Sequence, residues 1–299
     1  MLKAAPTSEN QEYQVTDAVQ TGVGRDSVRL PIKIITADRL ADEAIADLAE
    51  GFAKYEVWTR FAFHEIRQRF RRSVLGPFWL TLSMGIMVGA LGLVFSTLFQ
   101  QDVQHTLPYI ATGLIFWGLL TSCITEGTTV FIGNESYLRN VPLPVSLHLY
   151  RMLARNLIIW SFNMAIYLAV LVFFRILPGW PILLFFPGFV LFVVNASWIA
   201  MASAILSTRY RDIPQVIANL VQVVFFVTPV FWSVSTLPHR PAFVLLNPFY
   251  HLLEIVRGPL LGEVPPLISW LIVIGMAVVG LAGTAYLYRR AYARIAYWV

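Results

Sequence analysis

The sequence predicts an all-α polytopic membrane protein with six transmembrane helices and both termini on one side. Of its 299 residues, 57% are hydrophobic and only 13% are charged, whereas soluble domains carry about 25% charged residues. The charges are also unevenly placed, because eleven of the seventeen acidic residues precede Ser73. The chain before Ser73 is therefore expected to face water, and the rest is expected to be largely embedded in lipid.

Residues 1–54 are predicted to form a polar N-terminal extension. Residues 1–25 are rich in Gln, Glu, Thr, Ser and Gly, which favours disorder, and they lack the apolar core of a secretory signal peptide. Residues 28–35 are compatible with a short extended segment. Apolar residues at helical spacing then predict a helix over Asp38–Lys54.

Residues 55–72 predict an amphipathic helix that lies in the membrane interface. At about 100° per residue, one face carries the basic side chains of Arg60, His64, Arg67 and Arg71. The opposite face is aromatic and apolar, although Arg69 falls within it, and this pattern is typical of interfacial helices. A positive flank that only sets topology is the alternative. Nucleic-acid binding is disfavoured, because the aromatic side chains face away from the basic ones.

Six apolar segments follow, each close to the length of about 20 residues that a spanning helix needs. They cover residues 76–99, 109–132, 157–174, 182–206, 216–237 and 267–287, so that residues 73–299 form one six-span domain. If both termini lie on one side of the membrane, thirteen arginines next to or between the spans fall on that side, and three fall on the other side. Because cytoplasmic loops are enriched in Arg and Lys, both termini are predicted to be cytoplasmic.

The external connection Ser233–Pro266 is long and partly apolar. Its apolar pieces are too short to span a membrane, and they are interrupted by Asn247-Pro248 and Gly258-Pro259. This pattern favours external re-entrant half-helices before the last span. An ordinary folded-back external cap is the alternative.

The sequence carries no motif of an enzyme. None of its three lysines follows a G-x-x-x-x-G, so there is no Walker-type phosphate loop, and no Cys or His spacing fits a metal site. We therefore predict no catalytic residue, no metal and no cofactor on this chain. Glu126 is the one ionisable residue well inside a span, which makes it a functional-site hypothesis. Proton coupling, a pore-mouth position and a helix contact are all open for it.

Several short motifs resemble those of one known family. Arg69–Trp79, RFRRSVLGPFW, is similar to the R-x-R-x-S-x-L-G-x-x-W motif of bacterial polysaccharide ABC-exporter permeases. These are type 2 ABC transporter permeases that export O-antigen, capsule or teichoic acid. Further motifs follow in the family's order: RNVPLP at Arg139–Pro144, RYRDIPQ at Arg209–Gln215, TPVFW at Thr228–Trp232, LNPFYHLLEIVRGPLLG at Leu246–Gly262 and YARIAYWV at Tyr292–Val299. The resemblance covers residues 55–299 and leaves residues 1–54 outside it.

The resemblance implies the transmembrane subunit of an ATP-driven exporter in the bacterial inner membrane. Two copies of the chain would pair as a homodimer and enclose a channel. Two separate ABC ATPase subunits would bind ATP and Mg²⁺ and dock at the cytoplasmic side. The substrate would be a polysaccharide linked to undecaprenyl diphosphate, such as O-antigen.

The resemblance also assigns expected roles to particular residues. Arg67, Arg69, Arg71 and Arg72 lie where a lipid diphosphate would arrive, and arginine suits phosphate oxygens; membrane topology and anionic lipid are the alternative for them. A short coupling helix is expected over Glu135–Asn140, stopped by Pro142 and Pro144. Contact with the ATPase is expected at Glu135, Tyr137, Leu138, Arg139, Asn140, Arg209, Arg211 and Asp212. Stacking on sugar rings near the channel exit is expected at Phe231, Trp232, Phe249 and Tyr250, although aromatic residues are also enriched at membrane interfaces generally.

Two other functions compete with this interpretation. A type 2 ABC permease for a small lipid or drug would share the fold. A membrane-embedded glycosyl- or acyltransferase would need acidic or histidine residues grouped at one membrane face. The acidic and histidine residues predicted on the external side are scattered instead.

Overall fold

The computed structural model describes residues 37–233 and 242–299, so the predictions for residues 1–25 and 28–35 fall outside the described residues. The described chain is all-helical. Its helices are α1 (Ala37–Ala53), α2 (Tyr55–Arg69), α3 (Phe78–Phe99), α4 (Val103–Thr129), α5 (Glu135–Asn140), α6 (Leu147–Phe174), α7 (Ile182–Arg209), α8 (Ile213–Val227), α9 (Ala242–Leu245), α10 (Pro248–Leu260) and α11 (Leu267–Trp298). A short 3₁₀ turn, Ile132–Asn134, precedes α5.

Among the described residues, five helices are long and apolar enough to cross a membrane, namely α3, α4, α6, α7 and α11. The predicted fifth span, residues 216–237, begins within α8, which has only 15 residues, and residues 234–237 of it fall outside the described residues. At 1.5 Å per residue α8 is about 22 Å long, short of the roughly 30 Å of a bilayer core. It ends because Thr228 is extended, as expected before Pro229. The count of six spans is therefore not confirmed.

The other five predicted spans coincide with long helices and differ from them mainly in where each helix begins or ends. The second and third spans were expected to begin at residues 109 and 157, but α4 begins at Val103 and α6 at Leu147. The fourth and sixth were expected to end at residues 206 and 287, but α7 and α11 extend beyond them. Hydropathy marks where lipid begins, whereas a helix continues through polar flanks as long as its backbone bonds can form. The predicted helix 55–72 ends earlier than expected, at Arg69, and a turn follows.

Helix α4 is the centre of the bundle. In its most apolar stretch 72% of residues are buried, against 11–22% in the other four long helices. It packs against α3, α6, α7, α8 and α10. The approach to α7 depends on Gly127, since a Cβ there would lie 2.9 Å from the carbonyl oxygen of Ala200. The other four long helices leave their outer faces free for lipid or for another chain.

The connection between α8 and α11 contains α9 and α10, separated at Asn247 as expected. The Asn247 side chain accepts a hydrogen bond from Phe249 N at 3.0 Å and caps α10. It also donates to Thr228 Oγ1 at 2.8 Å, which joins the start of α10 to the end of α8. The helix α10 has 13 residues and is too short to cross a membrane alone.

The predicted break at Gly258-Pro259 is wrong, because α10 continues through both residues to Leu260. A proline cannot bond the carbonyl four residues earlier, here that of Ile255. The Ile255 carbonyl lies against Gly188 of α7, where a Cβ would be only 2.4 Å from the oxygen. Gly188 of α7 thus leaves room for the carbonyl that Pro259 leaves unbonded, and α10 continues past the proline.

The two N-terminal helices pack on the same end of the bundle as α5. Helix α1 contacts α6 and α11, and α2 contacts α6. On α2, Ala62 and Ile66 are buried, while Tyr55 and Phe63 are 60% and 62% exposed. The apolar face predicted for α2 is therefore divided between helix packing and an open apolar surface.

Candidate functional site

Four charged side chains from three helices form an ion network at the end of the bundle that carries α2 and α5. Glu65 of α2 pairs with Arg151 of α6 at 2.8 Å and also with Arg155 of α6. Arg155 pairs in turn with Glu126 of α4 at 2.6 Å. The four side chains are only 12–34% exposed. The ion network joins α2, α4 and α6, and its formal charges balance.

The network gives Glu126 a definite partner. Arg151 and Arg155 lie four residues apart and so share one face of α6. A carboxylate in an apolar environment is costly unless a cation pairs with it, and Arg155 does so. Glu126 thus takes part in an ion pair that joins α4 and α6.

Two cavities meet beside the ion network. One, of about 620 Å³, is lined by all four residues of the network and by Arg69. The other, of about 380 Å³, lies between α3, α4 and α6, and is lined by Arg69, Glu126, Asn156, Trp160 and Asn163, among others. Among the described residues, Trp160 Nε1 and Asn163 Oδ1 are buried without a hydrogen-bond partner. This second cavity is called the crevice below, and its polar lining residues include the cation of Arg69 and the carboxylate of Glu126.

The remaining arginines of the predicted cluster lie elsewhere. Arg67 and Arg71 line a cavity of about 1050 Å³ together with Arg60 and His64, the other members of the predicted basic stripe. Arg72 is exposed in the turn that follows α2. The four candidates for a lipid diphosphate therefore do not share one site, since Arg69 alone of them lines the crevice.

Helix α5 carries five of the predicted ATPase contacts on one short surface element. Glu135 and Arg139 pair at 3.0 Å and are about half exposed, and Asn140 is also exposed. Tyr137 is 50% exposed, with its ring 6.1 Å from that of His148. Leu138 instead packs against the core. The helix therefore presents a polar outer face and is held to the bundle by one apolar side chain.

The other predicted contact segment is the turn between α7 and α8. The Arg209 guanidinium lies 5.6 Å from the ring of Trp298, near the end of α11. Arg211 donates to the carbonyl oxygen of Trp298 at 3.3 Å, and Asp212 is exposed beside it. Since α11 also contacts α5, the end of α11 touches both predicted contact segments.

The four predicted exit aromatics separate into different places. Phe231 and Trp232 line a cavity of about 540 Å³ at the opposite end of the bundle, which also includes Tyr109, His105 and several amide and carboxylate side chains. Phe249 lines a separate, apolar cavity of about 270 Å³ beside α8. The Tyr250 ring lies 5.0 Å from that of His251.

A buried arginine at the same end was not predicted as a site residue. Arg257 of α10 is 2% exposed and donates to the carbonyl oxygen of Pro229 at 2.8 Å. It also pairs with Glu254 at 3.2 Å, and its guanidinium lies 4.0 Å from the centre of the Tyr109 ring. The Tyr109 hydroxyl donates to the carbonyl oxygens of Pro229 and Trp232. These contacts join α4, α10 and the turn after α8.

Sequence reasoning also missed Glu65, Arg151 and Arg155. A signal was present, because the sole carboxylate within an apolar span requires a cation nearby. The third span was expected to begin at residue 157, which left both arginines in a loop. Recognising that they are four residues apart on a helical flank would have pointed to Arg155. In the described part of the chain, no group of three or more His, Cys, Asp or Glu side chains is placed to hold a metal ion.

Comparison with known proteins gives two findings. Residues 59–261 match the ABC-2 type transporter family. A protein of Myxococcus xanthus, described as "O-antigen export system permease protein RfbA", is 24% identical over 196 residues, which cover 63% of this chain and 74% of that protein. The family match includes most of α2, the ion network, α5 and α10, but it does not include α1 or α11.

Proposed function

Because the chain belongs to the ABC-2 type transporter family, we propose that it is the transmembrane subunit of an exporter of lipid-linked polysaccharide. It is a multi-pass membrane protein, and the proposal places it in the bacterial inner membrane with both termini cytoplasmic. The substrate is a glycan such as O-antigen on undecaprenyl diphosphate. The name of the Myxococcus relative supports this substrate class.

The observation that carries the proposal is the position of Arg69. It lies at the end of α2, just before α3, and lines both the crevice and the cavity beside the ion network. The guanidinium is exposed and its fork of donors matches phosphate oxygens. A diphosphate arriving along the membrane surface would meet Arg69 first. The first sugars then enter the crevice, whose lining includes the ring of Trp160 and the amide side chains of Asn156 and Asn163.

The proposed channel lies between two copies of the chain. Within the described residues α8 has no buried side chain, although it is almost entirely apolar. Its exposed residues include Val216, Leu220, Val223 and Phe226. A second copy covering this face would bury apolar area that one copy leaves open. In this arrangement α9 and α10 are re-entrant half-helices at the external end of the channel.

Energy for transport is supplied by two separate ABC ATPase subunits, which hold ATP and Mg²⁺. They dock on the polar face of α5 and on the turn from Arg209 to Asp212. Both segments are exposed and charged, and both touch α11. Movement of the ATPases is thereby passed to α6, which follows α5 directly, and to α11.

Reconstitution tests the proposal. The chain is placed with its ATPase in proteoliposomes that contain undecaprenyl-diphosphate-linked O-antigen, and ATP-dependent transfer of glycan across the bilayer is measured. Arg69→Gln is expected to weaken binding of the lipid-linked glycan about tenfold or more, because a hydrogen bond to a charged group contributes about 1.5–3 kcal/mol. Arg294→Gln, an exposed arginine on α11 at the same end, is the matched control and is expected to bind normally.

Two results would contradict the proposal. Equal binding by the Arg69 and Arg294 variants would remove Arg69 from the head-group site. Transfer of a short-chain lipid or drug in place of the glycan would favour a small-molecule permease, for which the apolar cavity of about 270 Å³ beside α8 is a suitable size.

A further inference from the structure

The N-terminal extension contains a buried carboxylate that joins three parts of the chain. Asp47 of α1 is 5% exposed. Its oxygens accept hydrogen bonds from Val145 N at 2.7 Å and Ser146 N at 3.0 Å, both in the connection between α5 and α6. They also accept from the hydroxyls of Tyr288 at 2.6 Å and Tyr292 at 3.5 Å, on the last helix. We call these five residues the Asp47 cluster.

The backbone around Asp47 is held just as closely. Ser146 Oγ donates to the carbonyl oxygen of Asp47 at 2.8 Å, and the Tyr150 hydroxyl donates to that of Leu48 at 3.2 Å. One turn later, a Cβ at Gly51 would lie 2.1 Å from Ser146 Oγ. Helix α1 therefore approaches the start of α6 so closely that a side chain at residue 51 would displace the Ser146 hydroxyl.

The donors that surround Asp47 are neutral, so directional hydrogen bonds hold the carboxylate in place. A buried carboxylate is retained only when its oxygens are fully hydrogen-bonded. Two backbone N–H groups and two phenols meet that need here, so the carboxylate holds its neighbours in one geometry. An apolar residue at this position would leave the two amides and the phenols without their acceptor.

We propose that Asp47 is a positioning residue for transport, which fixes the α5–α6 connection to the end of α11. A displacement of α5 then moves α6 and α11 together instead of bending the connection between Asn140 and Leu147. The inference rests on the proposed docking of the ATPase at α5. It gives residues 37–53, which lie outside the family match, a role in coupling ATP hydrolysis to transport.

The first test compares Asp47→Ala with Glu43→Ala in the reconstituted complex of the chain with its ATPase. Glu43 lies on the same helix and is exposed, so it controls for the loss of one acidic side chain. The measured quantity is glycan moved per ATP hydrolysed. Asp47→Ala is expected to lower this ratio about fivefold or more, the lower end of typical coupling between sites, while ATP hydrolysis continues. An unchanged ratio, or a parallel loss of hydrolysis and transport, would overturn the proposal.

The second test restores the link from α1 to the α5–α6 connection by a different chemical bond, while α1 keeps its packing on α11. Gly51→Cys with Ser146→Cys is introduced into the Asp47→Ala chain, with Cys123→Ala so that no other thiol remains. The ideal Cβ at Gly51 lies 3.3 Å from Ser146 Cβ, close to the 3.5–4.5 Å usual for disulfides. Oxidation is expected to raise the transport ratio toward the value of the native chain, and reduction of the same sample is expected to reverse it. No response to oxidation would overturn the proposal.

A measurement without substrate separates this proposal from the proposed function. Spin labels replace Asn140 and Arg290, both exposed, in the full chain in lipid nanodiscs. Asp47→Ala is expected to broaden the distance distribution between α5 and α11, and Glu43→Ala is expected to leave it narrow. Equal distributions would overturn the positioning role. Failure of the native complex to move glycan would instead overturn the proposed function alone.

Discussion

Replacing Arg257 by Met tests whether the buried cation holds α10 in place. The variant loses a charged hydrogen bond to Pro229 at 2.8 Å, which contributes about 1.5–3 kcal/mol. It also loses a cation at 4.0 Å from the Tyr109 ring, a contact of about 2 kcal/mol when shielded from water. Removing one member of such a buried group costs about 3–5 kcal/mol. We expect the lower part of that range, because Glu254 is 17% exposed and keeps some contact with water.

Cys123 provides the assay. It is the single cysteine in the sequence and is 2% exposed in the core, so a thiol-reactive dye labels it only when the bundle opens. At roughly 2–4 °C per kcal/mol for a chain of this size, a loss of about 3 kcal/mol lowers the labelling midpoint by about 6–12 °C. Arg257→Lys keeps the charge but not the fork of donors, and is expected to lose about half as much.

The controls separate the ring from the hydroxyl. Tyr109→Phe keeps the ring under the guanidinium and removes the hydroxyl that bonds two carbonyls, so a loss of about 1 kcal/mol is expected. Tyr109→Leu removes both and should cost more. A midpoint for Arg257→Met within about 1 °C of the native chain would refute the assigned role.

Three further predictions concern other contacts and use the same thiol assay. Gly113→Ala would place a Cβ 2.1 Å from a backbone oxygen of the turn after α8. A loss of stability of about 1–3 kcal/mol is therefore expected, and an unchanged stability would show that the turn moves freely. Arg155→Met leaves Glu126 unpaired and is expected to lower the stability of the bundle. Adding Glu126→Gln is expected to recover part of that stability, and strictly additive losses of stability would contradict the pairing. Asn247→Ala removes the cap of α10, with an expected cost of about 1–2 kcal/mol, and a midpoint equal to the native one would contradict the cap.

Several features of this protein are determined by the sequence alone. Runs of apolar residues predict membrane helices because lipid cannot bond the backbone, and five of the six predicted spans coincide with long apolar helices. The short helix α5 was expected over Glu135–Asn140 and has those bounds. Its limits are local, since Pro142 and Pro144 stop the chain from continuing as a helix.

Contacts between distant segments were decided only by the tertiary structure. The sequence shows Glu126 in a span, but only packing shows that Arg155 reaches it and that Glu65 pairs with the same arginine. It likewise shows Pro259 as a break, whereas the approach of α7 at Gly188 accommodates the proline within α10.

The N-terminal extension shows most clearly what the sequence determines and what only the tertiary structure decides. Its periodicity predicts a helix, and α1 is observed at Ala37–Ala53. The sequence gives no sign that Asp47 is buried, because a carboxylate on an amphipathic helix normally faces water. Its donors are 98 or more residues away along the chain. Local pattern thus determines where helices form, while hydrogen bonds between remote segments decide which polar residues become structural.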